Sequence, residues 1–255
     1  MDATSALNNL LATLDTSKKE LDSYRPFPPE LIKHLTDWYR VELTYTSNAL
    51  EGNSLSSSET AIVLEKGIAI GGKTVREHLE AINHAHAFDY ILELARSNKN
   101  DSSLQEMYRL HWLILRGIDD ENAGRPRRIL VRITGSKVPL PDPIKLIELM
   151  DDFLAWLHSR TDHPVIIAAL AHLKLVTIHP FVDGNGRTAR LLMNLLLIQA
   201  GFPPAIVNPE QRSAYINALK QAQQNNNNEP FVLLIAQCVQ TSLQLYLEHA
   251  KSILR

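Results

Sequence analysis

The sequence predicts an all-α fold with one small β element. Apolar residues recur at helical spacing along almost the whole chain, as in Leu7, Leu10, Leu11 and Leu14, and this period is typical of amphipathic helices. Clusters of proline or glycine, such as RPFPPE and IAIGGKT, separate the periodic stretches, as expected for short connections between helices. One segment changes its period, because ILVRI lies among turn residues and prolines within residues 117–143. That segment favours a loop that carries a short β-hairpin or flap.

The helices follow one another from the start of the chain. We expect a first helix over residues 4–22 and a second over 29–50, closed by Gly52, because proline suits the first position of a helix and glycine its end. The stretch SLSSSET predicts the N-cap of a third helix, which runs to Gly67. Later helices are predicted over residues 75–96, 102–116, 144–158, 164–178, 187–200, 209–223 and 230–252.

Composition narrows the classes of function. The chain has 255 residues, of which 45% are hydrophobic and 21% charged, an ordinary globular balance that can bury a substantial core. A formal charge of -2 gives no basic field for nucleic acid. The single cysteine, Cys238, excludes a disulfide framework within the chain and indicates a reducing compartment. We find no signal peptide and no apolar run of membrane-spanning length, so we expect a cytoplasmic protein with no membrane partner.

The stretch HPFVDGNGRTAR, residues 179–190, concentrates groups that suit a phosphate. It joins an apolar helical stretch to an amphipathic one, so Gly184-Asn185-Gly186 is expected at a helix N-terminus, where unpaired N–H groups and the helix dipole favour an anion. Glycines also permit the left-handed conformations that turn several N–H groups toward one point. Arg187 and Arg190 are three residues apart, so we expect them on one face of the first turn, each able to hold phosphate oxygens.

Two further residues of this stretch suit the chemistry of phosphate transfer. Asp183 supplies a hard oxygen ligand, and magnesium typically takes one or two carboxylates together with substrate phosphates. His179 is an imidazole that titrates near neutral pH, so it suits removal of a proton from a hydroxyl nucleophile. The alternative is a plain turn between two helices that carries surface charges. The full set in this order favours phosphate chemistry.

The same stretch resembles the signature of the Fic family, His-Pro-Phe-x-Asp/Glu-Gly-Asn-Gly-Arg-x-x-Arg, and matches it at every specified position. The likeness extends over about residues 104–238 and, more weakly, upstream to about residue 40. Within the family it is strongest to the animal enzymes of the endoplasmic reticulum that modify the chaperone BiP. The resemblance implies a Fic/Doc-type helical bundle with a β-hairpin flap. It divides the chain into an N-terminal helical region (1–103), a catalytic core (104–238) and the end of a C-terminal helix (239–255).

The resemblance also implies an activity and a role for each residue of the motif. Fic enzymes transfer AMP from ATP to a Ser, Thr or Tyr hydroxyl of a target protein. His179 is then the general base, and Asp183 holds Mg²⁺ against the phosphates. The turn Gly184–Gly186 forms the anion hole. Arg187 steadies the β-phosphate side of the leaving pyrophosphate, and Arg190 holds the γ-phosphate.

A second motif, Ser-Asn-Ala-Leu-Glu-Gly at residues 47–52, lies at the end of the second predicted helix. Ser47 and Glu51 share a face, and a carboxylate at a helix C-terminus is disfavoured unless a cation pairs with it. An unpaired surface glutamate is the alternative. The stretch resembles the inhibitory helix of Fic proteins, around residues 40–52, which implies that Glu51 pairs with Arg190 and blocks productive seating of the γ-phosphate. In the BiP-modifying relatives this glutamate also supports removal of AMP.

Two more regions are assigned by the resemblance. Residues 129–141 resemble the Fic flap, which holds a target segment by strand addition. The flap positions that border the nucleotide in the family are Thr134, Gly135, Ser136 and Lys137, although Lys137 also fits a solvated turn lysine. Tyr215 matches a tyrosine on the adenosine side. The chain departs from close relatives at Ile216, where they have a second tyrosine, and at Gln223, where they have an asparagine that contacts adenine.

Other functions stay open at this point. A Fic-type enzyme that transfers another phosphate-containing group is one alternative. Gly186 and Arg190 argue against phosphorylation, because the relatives that phosphorylate carry lysine at the first position and lack the second arginine. A catalytically silent nucleotide-binding module is another alternative, against which the intact His179 and Asp183 argue. The resemblance further implies self-modification and a homodimer.

Overall fold

The computed structural model describes residues 3–97, 103–133 and 138–253. In these ranges the chain is helical without any β-strand, so the predicted all-α class is confirmed. Short 3₁₀ turns, Pro143–Lys145 and Pro209–Gln211, precede the sixth and the ninth α-helix. The α-helices are α1 (Ala3–Asp22), α2 (Pro29–Leu50), α3 (Ser57–Lys66), α4 (Val75–Arg96), α5 (Leu104–Leu115), α6 (Leu146–His158), α7 (Pro164–Ile178), α8 (Asn185–Gln199), α9 (Arg212–Asn225) and α10 (Glu229–Ile253).

Reciprocal hydrogen bonds fix the starts of three helices. At α3 the Ser56 side chain accepts a hydrogen bond from the Glu59 backbone N–H, and the Glu59 carboxylate accepts one from the Ser56 backbone N–H. This confirms the N-cap predicted from SLSSSET. The same capping box starts α4 and α5, with the pairs Thr74–Glu77 and Ser103–Glu106.

The segment between α5 and α6 is irregular, and the described part of it shows no hairpin. The carbonyls of Ile129 and Pro141 accept hydrogen bonds from the Arg127 side chain, so these two groups do not pair in a strand ladder. Residues 134–137 lie outside the described residues. The β-hairpin predicted for this segment is therefore not seen.

Helices α7 and α8 form the central pair of the bundle. α8 also packs against α4 and α5, and α7 also packs against α6 and α10. α2 lies along α4, and its end reaches α8. This arrangement brings the α7–α8 loop and the C-terminal end of α2 to the same part of the molecule, although the two are far apart in sequence.

The C-terminal helix corrects one expectation. By length and composition the stretch Glu229–Ser252 of α10 could cross a membrane, contrary to the reading that no apolar run is long enough. In this fold 56% of its most apolar window is buried, and α10 packs along α1, α7 and α9. A core helix of a folded domain meets the same criteria, because burial against protein also favours apolar residues.

Candidate active site

The loop between α7 and α8 carries two left-handed residues. His179 ends α7 with φ of 51°, and Gly184 precedes α8 with φ of 73°. The Asn185 side chain closes the loop, since its Oδ1 accepts from the Phe181 N–H and its Nδ2 donates to the Phe181 carbonyl. Asn185 therefore holds the loop with its side chain, and its backbone N–H lies in the first turn of α8.

The side chains of Phe181 and His111 pack together beneath the α7–α8 loop and support it from the α5 side. The two rings stack with their centroids 3.6 Å apart, and both side chains are fully buried. His111 Nδ1 accepts from the Gly124 N–H, so Nε2 carries the proton that it donates to the Asp183 carbonyl at 2.9 Å. Burial lowers the pKa of His111 to about 4. His111 is thus a neutral side chain that joins α5 to the loop, a role that no pattern in the sequence indicates.

His179 lies beside a cavity of about 390 Å³ at the start of α8. Burial lowers its pKa from the ordinary histidine value, and the nearby Arg127 guanidinium adds to this effect. Its Nδ1 lies 3.4 Å from the Val176 carbonyl, which can only accept a hydrogen bond. The tautomer with the proton on Nδ1 therefore leaves Nε2 free to take a proton from another group.

Arg190 is 5% exposed and is held by three side chains. Its Nε donates to Ser47 Oγ at 2.9 Å, and its Nη2 donates to the Ser47 carbonyl at 2.9 Å and to Glu51 Oε1 at 2.7 Å. Nη1 donates to the Tyr215 hydroxyl at 3.3 Å, and that hydroxyl bonds His172 Nε2. The contact expected between Glu51 and Arg190 is present, and Ser47 takes part in it.

The Glu51 carboxylate sits directly over the first turn of α8. A Cβ built on Gly186 would collide with Glu51 Oε1 and would lie 3.1 Å from Arg190 Nη1. The lack of a side chain at Gly186 therefore makes room for the carboxylate. This differs from the expected reason for this glycine, which was a left-handed backbone, since only Gly184 of the two has a positive φ.

Arg187, which was expected to share one face of the first turn with Arg190, contacts a different set of groups. It is 2% exposed and lies 3.4 Å from Glu80 of α4 and 3.6 Å from Asp183. Its Nε and Nη1 have no hydrogen-bond partner among the described residues, so a buried cation keeps unused donors beside the loop. Asp183 in turn accepts from Arg76 Nη2 at 2.9 Å. Neither Arg76 nor Glu80 was expected from the sequence.

The cavity beside His179 is lined by five of the seven expected nucleotide-binding residues that lie in the described ranges. Arg190 is among the five, and Gly184 and Arg187 are the two that do not line it. Glu51 and Ile216 also lie on its wall. Gln223 Nε2 donates to Thr177 Oγ1 at 3.2 Å. The remaining lining residues are Leu50, Ile133, Val176, His179, Asn185, Gly186, Arg212, Tyr215, Leu219 and Lys220. Thr134, Gly135, Ser136 and Lys137, also expected here, lie outside the described residues.

Comparison with known proteins agrees with this geometry. Residues 101–197 match the Fic/DOC family. The solved structure of Fic-1 (residues 134–508) from C. elegans superimposes with a TM-score of 0.88 at 32% identity, and covers 98% of this chain and 74% of that one. A Fic domain containing signaling protein from Bacteroides thetaiotaomicron gives a TM-score of 0.84 at 28% identity, over 95% of this chain and 98% of that one.

Curated relatives extend the similarity. Protein adenylyltransferase Fic of Drosophila melanogaster is 44% identical over 206 residues, which cover 80% of this chain and 41% of the fly protein. The protein of the same name from Drosophila virilis is 41% identical over 96% of this chain and 47% of that protein. The fold and the loop thus define a helical bundle that carries the motif HPFVDGNGRTAR between α7 and α8. The chain belongs to the Fic/DOC family, and it spans less than half the length of these two curated relatives.

Proposed function

We propose that this protein is a protein adenylyltransferase that transfers AMP from ATP to a Ser, Thr or Tyr hydroxyl of a target protein. The observation that carries the proposal is that His179 and Arg190 line one cavity at the N-terminus of α8. A base and a phosphate-binding cation therefore face the same ligand site. The names of the relatives point to the same activity.

The reaction follows from the orientation of these groups. His179 Nε2 takes the proton of the target hydroxyl, and the hydroxyl oxygen attacks the α-phosphorus of ATP. The bond from that phosphorus to the bridging oxygen breaks, and pyrophosphate leaves. The N–H groups of the first turn of α8 stabilise the charge on the phosphates, and the positive charge of Arg187, buried beside the loop, adds to this at longer range. Most of the catalysis then comes from positioning and charge neutralisation.

A magnesium ion fits the donors around the loop. Among the described residues no group of three or more His, Cys, Asp or Glu side chains could hold a metal. Asp183 offers a carboxylate that is 47% exposed and lies directly before the helix N-terminus. One carboxylate with substrate phosphates is a usual ligand set for Mg²⁺. When bound, the ion would neutralise charge on the α- and β-phosphates, and Asp183 would hold it.

The contact between Glu51 and Arg190 is proposed to inhibit the enzyme. Four of the five guanidinium N–H groups of Arg190 are bonded within the protein, so only one N–H, on Nη1, is left for a γ-phosphate. The Glu51 carboxylate also places negative charge in the cavity, where it repels the phosphate tail. ATP would bind in an unproductive pose until Glu51 moves. The same carboxylate could orient a water molecule for removal of AMP from a modified target.

Partners and location complete the proposal. The partner is a protein that presents a hydroxyl, and the protein also modifies itself. A homodimer is expected from the family resemblance, and sedimentation at several concentrations tests it. We place the protein in a reducing, cytoplasmic environment, because its single cysteine, Cys238, is a buried free thiol.

An assay with ATP labelled at the α-phosphate tests the activity. It compares the wild type, Glu51→Gly and the double variant Glu51→Gly/His179→Ala, with self-modification and labelling in a cell lysate as the readouts. We expect weak label from the wild type, strong label from Glu51→Gly and none from the double variant. That pattern would establish the transferred group, the base and the inhibition together.

A different pattern would reject the proposal. Absence of α-label from Glu51→Gly, in a sample that calorimetry shows to bind ATP, would mean that AMP is not transferred. Label at the γ-phosphate would then identify a phosphate-transferring enzyme. Absence of all label would identify a nucleotide-binding module without catalysis.

A further inference from the structure

Arg127 connects the catalytic loop to the segment between α5 and α6. Its side chain is buried, with 2% exposure. Its Nε donates to the His179 carbonyl at 2.9 Å, and its backbone N–H donates to the Pro180 carbonyl at 2.8 Å. Two consecutive carbonyls of the loop are therefore fixed by one residue from a distant part of the sequence.

The other end of the guanidinium fixes both flanks of the irregular segment. Nη1 donates to the Ile129 carbonyl at 3.0 Å, and Nη2 donates to the Pro141 carbonyl at 2.6 Å. The planar, rigid guanidinium can make these bonds at once, because its donors point in fixed directions. The Arg127 guanidinium thus holds the carbonyls of His179, Ile129 and Pro141 at fixed distances from one another.

The backbone of His179 needs such support. Its φ of 51° lies in the left-handed region, which is unfavourable for a residue with a side chain. One hydrogen bond from the His179 N–H to the Leu175 carbonyl holds the backbone from the helix side. The bond from Arg127 Nε to the His179 carbonyl holds it from the other side, so the backbone from which the imidazole projects is fixed at both of its peptide groups.

We infer that Arg127 is a positioning residue, which orients His179 as the general base and couples it to the segment that flanks the active site. The inference rests on the proposed function, since it assigns a role in that reaction. The charged groups that face His179 are Arg127, Glu51 and Asp183. Arg127 is the cation among them, so its removal acts on both the position and the titration of the imidazole.

The experiment compares Arg127→Met, Arg127→Lys and the control Arg128→Met, each in the Glu51→Gly background. Arg128 is the exposed neighbour, so its variant loses the same charge without the buried bonds. We expect Arg127→Met to lower kcat at least about tenfold, because a small misplacement of a catalytic group is costly. The KM for ATP should change by less than about threefold, because Arg127 is not among the residues that line the cavity.

Titration of the His179 ring by NMR supplies a second readout that needs no transfer activity. Arg127→Met should raise the His179 pKa, since both the cation and the tight packing around the ring are lost. Arg127→Lys should keep part of the charge effect and recover kcat only in part, because an ammonium cannot reach three carbonyls in a plane. Arg128→Met should leave kcat and the titration unchanged.

The outcomes separate this inference from the proposed function. Unchanged kcat in folded Arg127→Met, or in Arg127→Lys if the former does not fold, would overturn the inference. A loss of activity that only follows the loss of folded protein, with the His179 titration unmoved, would also overturn it. If the parent Glu51→Gly enzyme itself transfers no AMP, the proposed function fails, and the titration alone then decides whether Arg127 positions His179.

Discussion

Arg190 Nη2 donates to Glu51 Oε1 over 2.7 Å, and the two residues lie 139 positions apart in the chain. The cation is almost fully buried, whereas the carboxylate is 42% exposed. The partner at the surface can therefore leave more easily than the partner in the core. This asymmetry favours Glu51 as the part that moves, and Arg190 as the fixed part, in the proposed inhibition.

Substitution of Glu51 should raise the rate of AMP transfer, and by more the more of the side chain is removed. Glu51→Gln removes the charge but keeps a group that can accept from Arg190, whereas Glu51→Gly removes both. We expect AMP transfer to rise in the order wild type, Gln, Gly, with a gain of at least about tenfold for Gly, a factor that corresponds to about 1.4 kcal/mol. Initial rates with α-labelled ATP measure this order.

Stability should change little in the same variants. An ion pair with a solvated partner contributes about 1 kcal/mol or less, and Ser47 and Tyr215 keep their bonds to Arg190. Urea denaturation of both variants, with the exposed Glu65→Gln as a control for the loss of one surface charge, checks this. Equal AMP-transfer rates in the wild type, Glu51→Gln and Glu51→Gly would show that Glu51 does not inhibit.

The pH dependence should follow from the lowered pKa of His179. Burial, with Arg127 as a further cause, holds the pKa below the ordinary value of 6.5, so the imidazole is neutral at pH 7 and ready to accept a proton. The rate of the Glu51→Gly enzyme should therefore be flat above neutral pH and fall only below pH 6.5. The Glu51 carboxylate raises the pKa of His179 in the wild type, so the fall in rate should lie at a lower pH in Glu51→Gly than in the wild type.

Single-turnover rates between pH 5 and pH 9, at saturating ATP, give this profile. The NMR titration of the His179 ring in the wild type and in Glu51→Gly gives the direction of the shift independently. A half-maximal rate above pH 7 would show that another group acts as the base, or that a bound ligand raises the pKa.

Local patterns in the sequence predict most of the helices and part of the candidate active site. Helical period and capping residues predict the helices, because both depend on neighbours within a few positions. The family motif places His179 and Asp183 in one loop for the same reason. His111 and Arg127 act across distances of 72 and 52 residues in the chain. Such contacts exist only in the packed bundle, so neither residue stands out in the sequence.

His111 should be needed for the shape of the loop. His111→Phe keeps an aromatic ring against Phe181 but loses the bonds to the Gly124 N–H and the Asp183 carbonyl. Two partly buried backbone hydrogen bonds are then lost, and we expect a loss of about 1–3 kcal/mol in the free energy of unfolding. Transfer by the Glu51→Gly enzyme should also fall, because Asp183 is no longer held.

Urea denaturation measures the stability, and rates are taken at a temperature at which the variant is folded. His34→Phe is the matched control, since His34 is exposed on α2. A His111→Phe protein as stable as that control would show that water replaces the lost bonds, and that the stacked ring alone supports the loop.

Arg76 should compete with magnesium for Asp183. Arg76 Nη2 bonds Asp183 Oδ2 at 2.9 Å, while Arg76 Nε bonds Glu80, so binding of an ion at Asp183 must first displace an arginine. Arg76 is 57% exposed, and such a pair is worth about 1 kcal/mol or less. Arg76→Met should therefore lower the Mg²⁺ concentration for half-maximal transfer by a few fold, up to roughly fivefold.

A magnesium titration of the Glu51→Gly enzyme with and without Arg76→Met measures this difference. The difference should shrink at high salt, because exposed charges are screened. Arg96→Met is a control that removes a cation at the far end of the same helix. An increase in the required magnesium concentration would contradict the competition, and would instead make Arg76 a group that orients Asp183 toward the phosphates.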